Sequence, residues 1–200
     1  MQGLTHRLRC RISALLVAMF LGSSGATAAT LNVVGGRLAG ASGVQVDGEL
    51  FDVQFLDGTC GEVFDGCDSL SDFDFDTRSS AESAAQALLD QVFLDGESGA
   101  FDTSPGLTFG CDYNTWCMAW TPYEQADFGA GVFGVHAMAA QNPSPVYGND
   151  SSTSWGIWDY YDTSEEGQYV WVAWTPIPEP SMNLLMLLGL AGLSWRRHLA

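Results

Sequence analysis

Lysine is absent from this 200-residue chain, and only two arginines, Arg37 and Arg78, lie away from its ends. Against them stand 23 of the 24 acidic side chains, so the middle of the chain carries a net charge of −21. A surface of that sign repels nucleic-acid phosphates and anionic lipid, which excludes a nucleic-acid binder. Histidine is nearly as scarce. His136 is the single one between the terminal segments, and its Val-His-Ala-Met setting reads as a core or edge-strand residue, so a serine or cysteine triad has no clear base. Gly35-Gly36 is followed by no lysine at phosphate-loop spacing, and the cysteines lack the short spacings and histidine partners of a zinc site. No catalytic residue, metal ligand or cofactor is assigned.

Both ends read as processing segments. Arg7, Arg9 and Arg11 precede a ten-residue apolar run broken only by Ser13, and Ala26-Thr27-Ala28 supplies the small residues of a cleavage site. That order is a secretory signal over residues 1–28, cut after Ala28, and the run is too short to span a ~30 Å hydrocarbon core. Export fixes the redox setting. Cys10 leaves with the signal, and Cys60, Cys67, Cys111 and Cys117 remain, an even number in an oxidising compartment. Local pairing, Cys60 with Cys67 and Cys111 with Cys117, is the favoured one of three connectivities; loop entropy gives each roughly 2–2.5 kcal/mol.

At the other end, Ile177-Pro178-Glu179-Pro180-Ser181 is followed by an apolar stretch over residues 184–195 and by Arg196, Arg197 and His198. Box, apolar stretch and basic tail in this order resemble the PEP-CTERM sorting signal. The resemblance implies that an exosortase, a membrane-embedded cysteine protease, recognises Pro178, Glu179 and Pro180. It also implies a provisional membrane anchor and a basic tail of Arg196 and Arg197 that stays inside. Two prolines fix backbone angles and delete amide donors, which keeps the box extended and open to a protease. Arginines at both ends favour the cytoplasmic face, placing everything between them outside.

Residues 29–176 are then the exported body. About 150 residues can bury roughly two thirds of their unfolded surface, and 46% hydrophobic content supplies a core. Asp47-Gly48, flanked by alternating residues, predicts a hairpin. Asp72-Phe73-Asp74-Phe75-Asp76 alternates strictly and predicts a strand with three carboxylates on one face and two rings on the other. Ser79-Ser80-Ala81-Glu82 reads as a capping box opening an amphipathic helix over residues 80–94, ended by Asp95-Gly96. Strands are expected over 116–121, 131–138, 155–161 and 169–174. The fold class is α+β: a mainly antiparallel sheet with one amphipathic helix, flanked by the signal peptide and the sorting helix. The stretch from Gly43 through Asp57-Gly58-Thr59-Cys60, with the helix behind it, is also similar to a domain that recurs among PEP-CTERM substrates. That likeness implies export and a cell-surface destiny, without chemistry.

Two surpluses remain. Asp72, Asp74 and Asp76 mimic the start of an EF-hand loop, but Thr77 and Ser83 stand where glycine and glutamate are required, so the loop match fails. Carboxylates are numerous enough that some pair would meet any glycosidase spacing. Trp116, Trp120, Trp155, Trp158, Trp171 and Trp174, with Tyr160, Tyr161 and Tyr169, read mostly as core and otherwise as a sugar-stacking face. The expected function is a non-enzymatic surface or matrix protein, and the PEP-CTERM resemblance implies that it is processed by exosortase and associated with exopolysaccharide. The alternatives are a carbohydrate-binding module and a secreted glycoside hydrolase.

Overall fold

The computed structural model describes residues 28–178; the expected signal peptide, the apolar stretch 184–195, Glu179, Pro180, Arg196 and Arg197 lie outside the described residues. The described chain forms a mixed, mostly antiparallel sheet with few helices. Its nine strands are β1 (Thr30–Val34), β2 (Arg37–Val46), β3 (Glu49–Leu56), β4 (Asp95–Gly96), β5 (Gly99–Ala100), β6 (Trp116–Gly129), β7 (Val132–Pro143), β8 (Ser151–Trp158) and β9 (Tyr169–Pro176). Seven of them make one sheet in the order β1-β2-β3-β9-β6-β7-β8, while β4 and β5 pair by themselves. Every contact in the large sheet is antiparallel except β6 against β9, which is parallel.

Turn chemistry builds the hairpins. Asp47 and Gly48 take φ of 50° and 94° between the paired Val46 and Glu49, as the Asp-Gly signal predicts. Ala130 and Gly131 do the same at 54° and 77°, joining β6 to β7. This second hairpin is much longer than the sequence suggests. Pro122 reads as the end of a strand because it lacks an amide donor, yet β6 continues through it with a register shift between Pro122 and Glu124.

Helix α1 (Cys60–Val63) is a single turn, and α2 (Arg78–Gln91) is the amphipathic helix. It starts earlier than expected: Thr77, not Ser79, is the cap, its hydroxyl accepting from the Ser80 amide at 3.2 Å. It ends at Gln91, with the Val92 and Phe93 amides both turned onto Leu88 O. Its buried stripe of Ala81, Ala84, Ala85, Leu88 and Leu89 rests on one face of the sheet. There it meets Val44, Val53, Phe55, Ala119, Met138, Val170, Val172 and Trp174. The other face carries a second core, in which Cys60, Phe64, Cys67 and Phe73 cover Met118, Trp120, Val135, Ala137, Ile157 and Trp171. Alternation along β9 sends Val170, Val172 and Trp174 to the helix and Trp171 away from it.

The acidic stretch after α1 departs from expectation. Residues 73–76 are not a strand, and a short 3₁₀ turn, Leu70–Asp72, comes before them. Phe73 and Phe75 do not share a face. Phe73 joins the second core beside Phe64 at 6.0 Å, and Phe75 joins the helix-side core, 5.4 Å from both Phe51 and Trp174. The segment thus crosses from one face of the sheet to the other, a use of alternation that a period of two cannot distinguish from a strand. Asp74 makes the crossing fast by accepting from the Trp174 amide at 3.2 Å.

Loops are tied down by few charges. Arg37 donates from one guanidinium nitrogen toward the carbonyls of Gly106, Thr108 and Cys111 and toward Asp112, at 2.9 Å from the carboxylate. Asp57 accepts from the Thr163 hydroxyl at 3.1 Å, which holds the β8–β9 loop beneath Gly58. Both cysteine pairs close as expected: Cys60 to Cys67 and Cys111 to Cys117, each with Cα atoms 5.7 Å apart.

Arg37→Ala should lower unfolding free energy by about 2 kcal/mol in denaturant titration, because three loop carbonyls lose a charged donor. Asp112→Asn should cost under about 1 kcal/mol, since the ion pair is half exposed. Equal losses from the two variants would refute this assignment of the work to the carbonyls.

Acid should stabilise the domain. Burial raises the carboxyl pKa of Asp57 and Asp74, and burial with neighbouring carboxylates raises those of Asp102 and Asp150; Asp95, bonded to Thr103, is lowered. A raised carboxyl binds its proton more tightly folded than unfolded, so its contribution is lost as pH rises from the ordinary value of 3.8 through the folded value. Asp95 has the opposite sign, losing stability as pH falls, but four groups oppose it. Thermal melting at about pH 5 should therefore lie above that at about pH 7.5, helped by reduced self-repulsion. A lower melting point at the acidic pH would contradict this account.

Candidate functional site

On the sheet face opposite α2, beside the disulfide-closed cover of residues 60–67, an aromatic cleft opens toward the edge strand β8. It is lined by Trp120, Trp155, Gly156, Ile157, Trp158, Tyr161 and Tyr169, with a volume of about 160 Å³. Register assembles it. Parallel pairing sets Trp120 of β6 beside Trp171 of β9 and Met118 beside Tyr169, while β7 brings Trp155 of β8 opposite Ala137. The small Ala137 and Ala139 keep the floor between the strands low, which leaves room for rings above them.

The back wall is a packed group. Trp120 stacks on Tyr169 with centroids 4.7 Å apart and planes 20° apart, and meets Tyr161 at 5.5 Å and Trp171 at 5.3 Å by their edges. Tyr161 and Tyr169 meet edge to face at 5.9 Å. Trp171 Nε1 donates to Gly58 O at 3.0 Å, whereas the buried Trp120 Nε1 has no acceptor among the described residues. Such a wall is rigid, because edge-to-face and offset contacts fix each ring by its neighbours.

The lip is different. Trp155 is 39% exposed and Trp158 48%, and Trp158 stacks on the exposed Tyr160 at 5.5 Å with planes 21° apart. Gly156, between them in the lining, points to the helix side, where a Cβ would come within 2.7 Å of the Phe128 ring. That ring meets His136 at 5.8 Å. The glycine lets the exposed Phe128 ring lie against the strand backbone at this point.

The electrostatics of the cleft are set by the β8–β9 loop, which carries Asp159, Asp162, Glu165 and Glu166. Burial pushes the Tyr161 phenol up to about 12, with the nearby Glu166 charge adding to it; burial and Glu166 raise Tyr169 as well. Both phenols therefore stay protonated and neutral throughout the ordinary pH range, so the cleft keeps two hydroxyls at its side. Neither arginine of the described residues belongs to the lining.

Sequence-singled residues fall into three groups. Of the tryptophans, Trp120, Trp171 and Trp174 are core, Trp116 is half-buried, and Trp155 and Trp158 form the lip; Tyr160, Tyr161 and Tyr169 all gather at the cleft. His136 is no edge residue: it sits on the interior strand β7, half-buried, its ring 6.2 Å from Tyr123. Asp72, Asp74 and Asp76 do not converge. Asp72 accepts from the Ser69 amide at 2.9 Å, Asp74 from Trp174, and among the described residues no three His, Cys, Asp or Glu side chains are grouped to hold a metal. The sequence missed Gly156 and the carboxylate role of Glu166, since neither stands in a motif and both matter only through strand register. A wider groove of about 550 Å³ between Gln125, Asp127, Phe133, Asp159 and residues 66–68 has Phe133 as the one ring in its lining.

The sorting box begins where the sheet ends. Pro176 closes β9 opposite Phe51, and the Ile177 amide makes a last bond to Leu50 O at 2.8 Å, one residue before Pro178. Pro178 then has no amide to continue the ladder. No curated protein and no solved structure matches the chain. Residues 176–197 match the family model of the PEP-CTERM protein-sorting motif. The chain therefore carries a PEP-CTERM sorting signal, which marks it for export across the membrane to the cell surface or envelope.

Proposed function

We propose that the protein is a non-enzymatic surface or matrix component that, after export and exosortase processing, holds exopolysaccharide through the Trp155–Trp158 cleft. The observation that carries this reading is the pair of half-exposed indoles held over a rigid wall of rings. Other exposed rings, such as Tyr113, Phe133 and Tyr147, lie outside this cleft, whereas Trp155 and Trp158 stand together in its lining. Sugar rings present C–H faces that stack on indole and phenol, and polar edges that Tyr161 and Tyr169 hydroxyls can meet. The cleft is smaller than the roughly 300–1,000 Å³ that encloses a drug-sized ligand, so it suits one ring of a chain that passes across it. The lining names no nucleophile with a base beside it, which favours holding over cutting. Under this reading residues 177–200 are a removable address, and the body left outside is the disulfide-closed sheet domain.

Two experiments test the two halves of the proposal. Replacing Pro178 and Pro180 by alanine together should leave the protein membrane-associated with its tail uncut, read by mass analysis of the cell-bound and released fractions. Unchanged processing would remove exosortase from the account. Trp155→Ala and Trp158→Ala should each weaken retardation of the purified domain in polysaccharide gels by about five- to tenfold, near 1 kcal/mol per stacked ring, with little change in melting temperature. Wild-type migration unaffected by every glycan, or release of reducing sugar, would overturn the non-enzymatic binding role.

A further inference from the structure

We infer that the glycan held in the aromatic cleft is cationic: a polysaccharide whose hexosamine units carry free, protonated amino groups, rather than a neutral or uronate-rich chain. This rests on the sugar-holding reading above and specifies its ligand. The first support is the rings themselves. Trp120, Trp155, Trp158, Tyr161 and Tyr169 present π faces and edges within one small cleft, and an ammonium group over such a face is attracted by the ring quadrupole. The second is Glu166, whose charge acts on both Tyr161 and Tyr169, which places a carboxylate within electrostatic reach of the same cleft.

The third support is what surrounds them. The loop from Trp158 to Tyr169 interleaves Asp159, Asp162, Glu165 and Glu166 with its aromatic residues. Of the two cations in the described domain, Arg37 is committed to Asp112 and the carbonyls of the 106–111 loop, and Arg78 opens α2, which packs on the opposite face of the sheet. Neither can neutralise a uronate in the cleft. An anionic chain would have to approach a domain of net charge −21 with no partner for its carboxylates. Amino groups reverse the sign of that long-range field and supply the local contact.

The test compares three oligosaccharides of equal length on the purified oxidised domain by tryptophan fluorescence and calorimetry: glucosamine, N-acetylglucosamine and galacturonate oligomers. The glucosamine oligomer should bind at least about fivefold tighter than its N-acetylated counterpart, and galacturonate should bind weakest. That preference should vanish when pH is raised above the amine pKa. Glu166→Gln should reduce the preference for glucosamine while leaving N-acetylglucosamine binding unchanged, and Trp158→Ala should weaken both. Equal or tighter binding of the N-acetylated or uronate oligomer would sink this inference and leave the sugar-holding role standing. Absence of binding to all three would remove both. Glucosamine binding that neither Glu166→Gln nor Trp158→Ala alters would show only a polyanion collecting a polycation, and would also overturn the inference.

Discussion

Everything in this sheet depends on β9. The chain first lays down β1, β2 and β3 as consecutive hairpins, then β6, β7 and β8 as another run, and neither run reaches the other by itself. β9 joins them, antiparallel to β3 over six residue pairs from Phe51 opposite Pro176 to Leu56 opposite Trp171, and parallel to β6 around Tyr169 and Trp171. Its composition fits that place: Tyr-Val-Trp-Val-Ala-Trp is β-branched and aromatic, with no charge in it, as expected of a strand buried on both faces. Trp171 and Val170 are fully buried, one in each core. Removing this strand would divide the sheet into two three-stranded pieces, opening new edges at β3 and β6 and leaving α2 to bridge them.

The same strand sets the cleft. Parallel pairing of β6 with β9 requires the chain to return from β8 by a crossover rather than a hairpin, and the loop that performs it carries Tyr160, Tyr161, Asp57-bonded Thr163 and Glu166 up to Tyr169 at the start of β9. The cover on that face is the short α1 and its disulfide, which pack Phe64 against Trp171 at 5.7 Å. Cover, wall and lip thus come from three parts of the chain, the segment after β3, the β6–β9 pair and the edge strand β8, gathered on one face. The helix-side face opens beside α2 in grooves of about 400 and 490 Å³, neither of which has an aromatic ring in its lining.

The parts of this that can be read from sequence are those encoded within a few residues. Asp47-Gly48, the local cysteine pairs and the helical spacing of Ala81, Ala85, Leu88 and Leu89 are decided by neighbours, and they stand where the spacing puts them. Errors arise where a local pattern has two physical meanings. Alternation at Phe73 and Phe75 fits a strand, but here it marks a segment that crosses between two cores. Ser79-x-x-Glu82 satisfies the capping pattern, yet Thr77 lies two residues nearer the preceding extended segment and takes the cap first. Pro122 looks like a stop and is absorbed by a bulge. For the tryptophans, composition gives the surplus but not its division: Trp155 and Trp158 differ from Trp171 and Trp174 only because β8 is an edge strand and β9 a central one.

Order along the chain then links folding to sorting. The strand that closes the sheet is the last element before the box, and the transition takes a single residue. Ile177 precedes a proline, which biases it to extended backbone, and it uses that conformation to donate to Leu50 O before Pro178 ends the ladder. Pro176, likewise without a donor, is tolerated because it ends its strand. No flexible spacer of glycine and serine separates the body from the box. Until β9 has docked between β3 and β6, the residues before the box belong to an unpaired apolar strand; once it has docked, the Ile177 amide is held on Leu50 O. A protease acting on that box works one residue beyond the last bond of the sheet.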